Sequence, residues 1–144
     1  MKSSELLLNK IIEFEGCKLT AYKCPAGVWT IGVGHTKGVK QGQTITKAQA
    51  MTLLRGDLLP CENYVNNLGV CKTQGQFESL VSFSFNLGTA ALGRSTLLKY
   101  IRQGKEEQYI RNEFAKWVNS KGVRLKGLVV RRAWEADRYF SKES

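Results

Sequence analysis

The chain has 144 residues, of which 42% are hydrophobic, and its formal net charge is +10 at pH 7. This length and apolar content suit one compact domain, or two small lobes, with a real hydrophobic core. Residues 1–72 contain nine Lys or Arg and five Asp or Glu, and residues 73–144 contain thirteen and seven. The charge is therefore not confined to a disordered cationic arm, and a basic surface favours a polyanionic partner such as nucleic acid, an anionic membrane face or an anionic cell-wall polymer.

The N-terminus has no long apolar run. Leu6, Leu7 and Leu8 are followed at once by Asn9 and Lys10, which is too short for a signal peptide or a membrane span. We therefore expect a soluble cytosolic product whose export would need help.

Residues 4–15 have the spacing of a helix. Either Ser3 or Ser4 can cap it, and Gly16 can end it. The apolar stripe consists of Leu7, Leu8, Ile11 and Ile12.

Glu15 lies four residues after Ile11, so it is predicted to continue the apolar face, whereas Glu13 is predicted to be solvated. A carboxylate at a helix C-terminus faces the negative end of the dipole, and burial would also remove water from it. Both effects disfavour the ionised form, which suits a general acid that must hold its proton. Taken alone, Glu15 is better explained as a partly buried carboxylate bonded to a backbone group or an arginine.

Residues 17–43 lose the helical pattern. Glycines punctuate short β-prone pieces around residues 28–33 and Val39, which predicts a small twisted antiparallel sheet. The pair Gly32 and Gly34 lacks the further glycine and the strand–loop–helix order of a nucleotide-binding fingerprint, so phosphate binding of that kind is not expected.

The remainder is predicted to be helical, without a further strand. Capping boxes begin at Thr46 and Thr73, each with a Gln three residues later, and Pro60 is expected to kink the first of these helices or to end it at Leu59. The second helix is almost uncharged, which predicts burial on most sides, and it ends near Gly88. Further helices are predicted near residues 95–102, 107–117 and 128–140.

The spacing of the residues that follow Glu15 indicates a catalytic function. Eight residues separate Glu15 from Cys24, five separate Cys24 from Thr30, and a Gly-x-Gly-His turn follows at His35. This arrangement resembles the phage-type lysozymes, the muramidase endolysins of tailed bacteriophages, whose motif is Glu, eight residues, Asp or Cys, five residues, Thr, and then that turn. The resemblance extends over nearly the whole chain, including the connector helix, residues 85–88 and the basic stretch at residues 127–132.

The resemblance implies an α+β, mostly helical, lysozyme-like fold for a single domain over residues 1–144. A sheet lobe at about residues 15–45 would be joined by a connector helix at about 46–66 to a helical lobe at about 70–144, with a cleft between the lobes. It also implies hydrolysis of the β-1,4 bond between N-acetylmuramic acid and N-acetylglucosamine in peptidoglycan.

The same resemblance assigns roles to residues. Glu15 would protonate the leaving oxygen, and Cys24 with Thr30 would hold or activate the water that attacks the opposite face and inverts the anomeric centre. Substrate contacts would come from Asn86, Phe85, Thr36 and Thr96, although Phe85 is equally explained as core.

Cys24 stands where many relatives have Asp. Since a thiol is mostly protonated at neutral pH, it is a poor resting base unless a positive neighbour such as Lys23 promotes its ionisation. A thiolate base, a neutral thiol that positions water beside Thr30, and a redox handle remain as alternatives.

His35 is the only histidine, so a metal site of ordinary ligand number lacks partners, and neither a metal nor another cofactor is expected. We predict a structural His35 paired with Asp57. Cys61 and Cys71 flank a short loop and suit a disulfide in an oxidising compartment, with four free thiols as the equal alternative.

Residues 116–132 contain six basic residues and no acid: Lys116, Lys121, Arg124, Lys126, Arg131 and Arg132. They are interpreted either as a solvated face or as a surface for anionic wall polymer or lipopolysaccharide.

The sequence also leads to expectations about partners, location and alternative functions. By family resemblance the protein is a monomer that waits in the host cytoplasm until a holin opens the inner membrane, and then acts on the wall, which lies in the periplasm of a Gram-negative host. A peptidoglycan-binding module that has lost catalysis is the main alternative, and membrane disruption by the basic C-terminal helices is another. Nucleic-acid binding is not expected, because no recognition-helix or RNP-type pattern is present.

Overall fold

The computed structural model describes residues 1–142. Residues 143 and 144, at the end of the predicted helical lobe, lie outside the described residues. The helices are α1 (Glu5–Glu15), α2 (Lys47–Leu68), α3 (Gln74–Leu87), α4 (Thr89–Arg94), α5 (Thr96–Gln103), α6 (Glu107–Ala115) and α7 (Lys126–Tyr139). The strands are β1 (Lys18–Lys23), β2 (Trp29–Gly32), β3 (Asn119–Ser120) and β4 (Val123–Arg124). The chain is thus mostly helical with small antiparallel sheets, as predicted.

The chain divides into two units. One is Ser3–Pro60, and the other comprises Met1–Lys2 together with Cys61 onward. Helix α2 runs through the division without a break, with Pro60 inside it. The prediction that the helix could end at Leu59 is therefore wrong.

The Ser3–Pro60 unit contains α1, the β1–β2 sheet and the first part of α2. Ser4 caps α1, because its Oγ accepts a hydrogen bond from the N–H of Leu7. Strands β1 and β2 are antiparallel, with Tyr22 opposite Thr30 and an irregular register toward Lys18. The buried apolar side chains of this unit are Leu7, Leu8, Ile11, Ile31, Val33, Ala50, Leu54 and Leu58.

Val39 is not in a strand. The additional pairing comes instead from Thr20 with Thr44 and from Ile31 with His35, each as a single bridge. The capping box at α2 is present, because Thr46 N–H donates to Gln49 Oε1 at 2.8 Å and Gln49 N–H donates to Thr46 Oγ1 at 3.1 Å.

The second unit is built on α3, which is buried along most of its length, as its lack of charge predicts. Thr73 caps it by accepting from Gln76 N–H at 3.1 Å, while the Gln76 side chain accepts from Lys72 N–H. Helix α7 packs along α3, and the Phe83 ring meets Phe114 edge-on with a centroid distance of 6.1 Å.

Two elements of this unit were not predicted. Helix α4 has only six residues, and strands β3 and β4 form a hairpin of two residues each. The prediction of no strand in the second half is therefore wrong. Positive φ angles at Lys121 and Gly122 make the tight turn that joins the two strands.

Candidate active site

Glu15 is the last residue of α1. Gly16 follows it with φ of 80°, and the Gly16 N–H donates to the carbonyl of Ile12 at 2.7 Å, which ends the helix two residues before β1. The Glu15 side chain is exposed, so the prediction that it continues the buried face is wrong. The buried stripe stops at Ile11.

Cys24 and Thr30 lie at the two ends of the turn that joins β1 to β2. The Cys24 N–H donates to Val28 O at 3.0 Å, and the Gly27 N–H donates to Cys24 O at 2.8 Å. Gly27 has φ of 80°, a conformation that a residue with a Cβ rarely adopts. The hairpin therefore brings Cys24 and Thr30 together, although five residues separate them in sequence.

Thr30 is 3% exposed, and its hydroxyl lies 2.9 Å from the carbonyl oxygen of Val28, to which it donates. The same hydroxyl is within hydrogen-bonding reach of the Cys24 thiol. The hydroxyl thus donates to the turn backbone and also helps to lower the pKa of the Cys24 thiol.

The turn makes Cys24 more acidic. Backbone N–H groups of Val28 and Ala26 favour the thiolate and lower the pKa of Cys24, partial burial opposes them, and the Thr30 hydroxyl adds to the lowering. The predicted positive neighbour, Lys23, is not among these causes. Its ammonium lies over the Trp29 ring, 5.4 Å from the centroid.

His35 is paired with Asp57, as predicted. Its Nδ1 lies 2.8 Å from Asp57 Oδ2, and its Nε2 lies 3.0 Å from the carbonyl oxygen of Lys37. Both ring nitrogens of His35 therefore have hydrogen-bond partners. Within residues 1–142, no group of three or more His, Cys, Asp or Glu side chains could hold a metal ion.

The other predicted substrate contacts divide between the units. Thr36, with Glu15, Cys24 and Thr30, belongs to the Ser3–Pro60 unit, and it is exposed. The second unit contains three of the predicted contacts: half-buried Phe85 and Asn86 near the end of α3, and exposed Thr96 at the start of α5.

Sequence reasoning missed the surroundings of Asn86. Its Oδ1 accepts a hydrogen bond from Arg132 Nη2 at 2.8 Å, and Arg132 is only 1% exposed. Arg131 and Arg132 are buried, so their assignment to a solvated or wall-binding face is wrong. Glu135 was the available sequence signal for their burial. It lies four residues after Arg131 and three after Arg132, and both spacings pair side chains on a helix.

All four cysteines are free thiols in the structure, which agrees with the second of the two predicted alternatives. Burial raises the pKa of Cys71 to about 11 and also raises that of Cys61. Cys24 is the cysteine whose surroundings favour ionisation.

A mostly helical fold with a carboxylic acid at a helix end and an ionisable thiol in a neighbouring hairpin defines a candidate acid–base hydrolase. Comparisons with known proteins identify the class. The family model for phage lysozyme matches residues 12–135.

Two curated relatives are endolysins. One, from Acyrthosiphon pisum secondary endosymbiont phage 1, is 40% identical over 140 residues that cover 94% of this chain and 95% of the relative. The other, from Bacillus phage B103, is 40% identical over 148 aligned positions that cover all of this chain, and the chain spans only 56% of it. Among solved structures, the muramidase domain of SpmX from Asticaccaulis excentricus is 34% identical, has a TM-score of 0.86, and is matched over 98% of this chain and 99% of that one.

The chain therefore belongs to the phage lysozyme family. It is a glycoside hydrolase of the muramidase type, an endolysin that hydrolyses peptidoglycan and so acts on the bacterial cell wall. No helix in residues 1–142 combines the length and the apolar character needed to cross a bilayer.

Proposed function

We propose that the protein cleaves the β-1,4 bond between N-acetylmuramic acid and N-acetylglucosamine with inversion, using Glu15 as the general acid and Cys24 as the base. Glu15 donates its proton to the glycosidic oxygen as the bond to the anomeric carbon breaks. The Cys24 thiolate takes a proton from the water that attacks the opposite face. One water is consumed, and both groups regain their starting protonation by exchange with solvent.

The observation that carries this proposal is the turn around Cys24. Backbone N–H groups of Val28 and Ala26 favour the thiolate, so the pKa of Cys24 is lowered. A base must be ionised before it can accept a proton, and Cys24 has the surroundings for this without a metal or a cationic side chain.

Thr30 positions the sulfur. It is 3% exposed and hydrogen-bonded within the turn, so in this proposal it orients the thiolate and its water rather than carrying a proton itself. Asn86, Phe85, Thr36 and Thr96 are proposed to contact the N-acetyl sugars, following the family resemblance.

Mass spectrometry of digested peptidoglycan tests the reaction, because muramidase cleavage leaves new reducing N-acetylmuramic acid ends. The anomer formed first, followed by NMR, tests inversion. Glu15→Gln should lose nearly all activity, because the amide has no proton to donate. Glu13→Gln is the matched control, since Glu13 is also exposed on α1 and its carboxylate pairs only with Lys10, at 3.4 Å, among the ion pairs seen in residues 1–142.

Intact glycan strands would overturn the assignment of the reaction. Clearing of purified peptidoglycan by Glu15→Gln at the wild-type rate would overturn the role of Glu15. An initial product with retained configuration would exclude the direct attack of water that is proposed for Cys24.

A basic groove on the second unit supports binding to an anionic wall polymer or lipopolysaccharide. It has a volume of about 360 Å³ and is lined in part by Arg94, Lys99 and Arg102. Residues 88–105 contain four basic residues and no acid, and the three arginine and lysine side chains of the groove have no acidic partner within residues 1–142. Lys116, by contrast, is paired with Glu113 at 2.6 Å. The groove is therefore a candidate for the anionic surface in addition to the exposed Lys121, Arg124 and Lys126.

Salt dependence tests the groove, because screening weakens attraction between exposed charges. Lys99→Gln with Arg102→Gln should reduce the salt sensitivity of activity on whole walls while activity on short soluble glycan fragments stays unchanged. Lys40→Gln with Lys47→Gln removes the same charge from the Ser3–Pro60 unit and serves as control. If both double variants lost salt sensitivity equally, the effect would come from net charge in general, and the groove would be rejected as the binding surface.

The remaining partner and location proposals rest on family resemblance. The protein is proposed to act as a monomer and to accumulate in the host cytoplasm until a holin opens the inner membrane, after which it reaches the wall, in the periplasm of a Gram-negative host. Lysis of cells that express the protein with and without a holin tests this order.

A further inference from the structure

A buried ionic cluster joins α3 to α7. Glu135 is fully buried, and Arg131 and Arg132 are 3% and 1% exposed. Arg132 Nε lies 2.7 Å from Glu135 Oε1, and the Ser82 hydroxyl donates to Glu135 Oε2 at 2.6 Å. Because breaking a buried ion pair leaves an uncompensated charge, this cluster holds the guanidinium of Arg132 in one place.

Arg132 uses the same guanidinium to hold Asn86. Its Nη2 lies 2.8 Å from Asn86 Oδ1 and 3.1 Å from Glu135 Oε2, so the two hydrogens of that nitrogen have different acceptors. The Phe83 ring lies on the guanidinium, 5.2 Å from Cζ to the centroid. The group is thus fixed by an acid, an amide and an aromatic face.

This contact determines the orientation of the Asn86 amide. An arginine side chain has only donors, so the atom of Asn86 that faces it must be the carbonyl oxygen. The amide nitrogen must then point away from Arg132. Asn86 is half-buried, and no acceptor within residues 1–142 is hydrogen-bonded to this nitrogen.

We propose that Arg132, held by Glu135, is a positioning residue that fixes Asn86 as a hydrogen-bond donor for a carbonyl oxygen of the substrate, such as that of an acetamido group. Without Arg132 the amide can rotate by half a turn and present its oxygen, which repels a carbonyl. This inference rests on the proposed function, because it takes the glycan of peptidoglycan as the ligand.

A double-mutant cycle tests the proposal, with KM and kcat measured on soluble glycan strands of uniform length. Asn86→Ala and Arg132→Met should each raise KM by about five- to tenfold, the effect of losing one hydrogen bond, while kcat changes little. Arg132→Met added to Asn86→Ala should raise KM by less than about twofold, because Arg132 acts through Asn86. A purely structural Arg132 would not produce this coupling.

A matched control separates positioning from stability. Arg138 on α7 is part-buried and pairs with the buried Glu78 on α3, at 2.9 Å. Arg138→Met should lower the melting temperature as Arg132→Met does but leave KM unchanged. Arg132→Lys keeps the charge opposite Glu135 but lacks the fork that reaches both partners, so it supplies the same test if Arg132→Met does not fold.

The outcomes separate a failure of the proposed function from a failure of the positioning role of Arg132. If muropeptide analysis shows no muramidase cleavage, the proposed function fails. If cleavage is normal but Asn86→Ala leaves KM unchanged, or if the two substitutions raise KM independently, the positioning role of Arg132 is overturned. A rise of KM in Arg138→Met equal to that in Arg132→Met would likewise reject it.

Discussion

The backbones of Cys24 and Val28 are hydrogen-bonded across the β1–β2 turn, with the Cys24 nitrogen 3.0 Å from the Val28 carbonyl oxygen. The Val28 N–H is also the largest cause of the lowered pKa of Cys24. Because backbone dipoles of the turn, rather than a charged side chain, favour the thiolate, the acidity of Cys24 should depend on the fold of the hairpin and little on ionic strength.

Replacing the proposed base should move the pH profile. Cys24→Asp replaces a thiol, whose reference pKa of ~8.5 is lowered by this turn, with a carboxyl whose reference pKa is ~3.9, so the limb of the profile that belongs to this position should move to lower pH. We expect substantial activity in Cys24→Asp and very little in Cys24→Ser, measured as kcat/KM from pH 4 to 9.

Two controls accompany this profile. Lys23→Gln should leave it unchanged, because Lys23 contacts Trp29 and does not lower the pKa of Cys24. Cys17→Ser should retain activity, since Cys17 has no assigned role. An unchanged profile in Cys24→Asp would exclude Cys24 as the titrating base.

Removing the Thr30 hydroxyl should raise the pKa of Cys24. Thr30→Val keeps the shape but deletes the donor, and the effect should be smaller than that of the backbone groups, which are the larger causes. The lost bond to Val28 should also cost about 1 kcal/mol of unfolding free energy. Ultraviolet titration of the thiolate measures the first effect and chemical denaturation the second. Thr30→Ser retains the hydroxyl and should match the wild type in pKa, and an equal shift in both variants would contradict this account.

The cysteines should differ in reactivity toward iodoacetamide. At pH 8 Cys24 should be alkylated well before Cys71, whose pKa is raised to about 11, and before Cys61, whose pKa burial also raises. Peptide mapping at timed intervals measures the order. Alkylation should abolish hydrolysis in the wild type and in Cys17→Ser at the same rate as Cys24 is modified. Faster modification of Cys71 than of Cys24 would refute the assignment.

Gly75 lies where α3 packs tightly against the end of α7. A Cβ at this position would lie 2.4 Å from the carbonyl oxygen of Arg138, so Gly75→Ala forces the backbone to move and should destabilise the fold by about 1–3 kcal/mol. Gly56→Ala is the matched control, because nothing lies within 4 Å of its added Cβ. It should stabilise α2 by up to about 1 kcal/mol. Calorimetry should give melting-temperature shifts of opposite sign, and a neutral Gly75→Ala would disprove the tight packing.

Local signals in the sequence predict the longer elements well. The caps at Ser4, Thr46 and Thr73 and the stop at Gly16 depend on bonds within a few residues, so their residue types reveal them. The six residues of α4 and the two-residue strands β3 and β4 are too short for a periodic pattern. Pro60 is not a boundary, because α2 continues through it to Leu68.

The site residues show where local reasoning stops. The sequence motif identifies Glu15, Cys24 and Thr30 as candidate site residues. The pairing of His35 with Asp57 can be predicted because one is a histidine and the other an acid. Exposure is different, because it depends on packing that the sequence does not specify locally. The charges of Arg131 and Arg132 suggest solvent, and only the location of Glu135 inside the second unit makes their burial possible.

The order of synthesis gives the α3–α7 contacts a further consequence. Asn86 precedes Arg132 by 46 residues, and Glu78 precedes its partner Arg138 by 60. On the ribosome, α3 is therefore complete while these ionic partners are still unmade. A growing chain has to keep a carboxylate hydrated that the finished protein buries, and it acquires the orientation of Asn86 only when α7 leaves the exit tunnel.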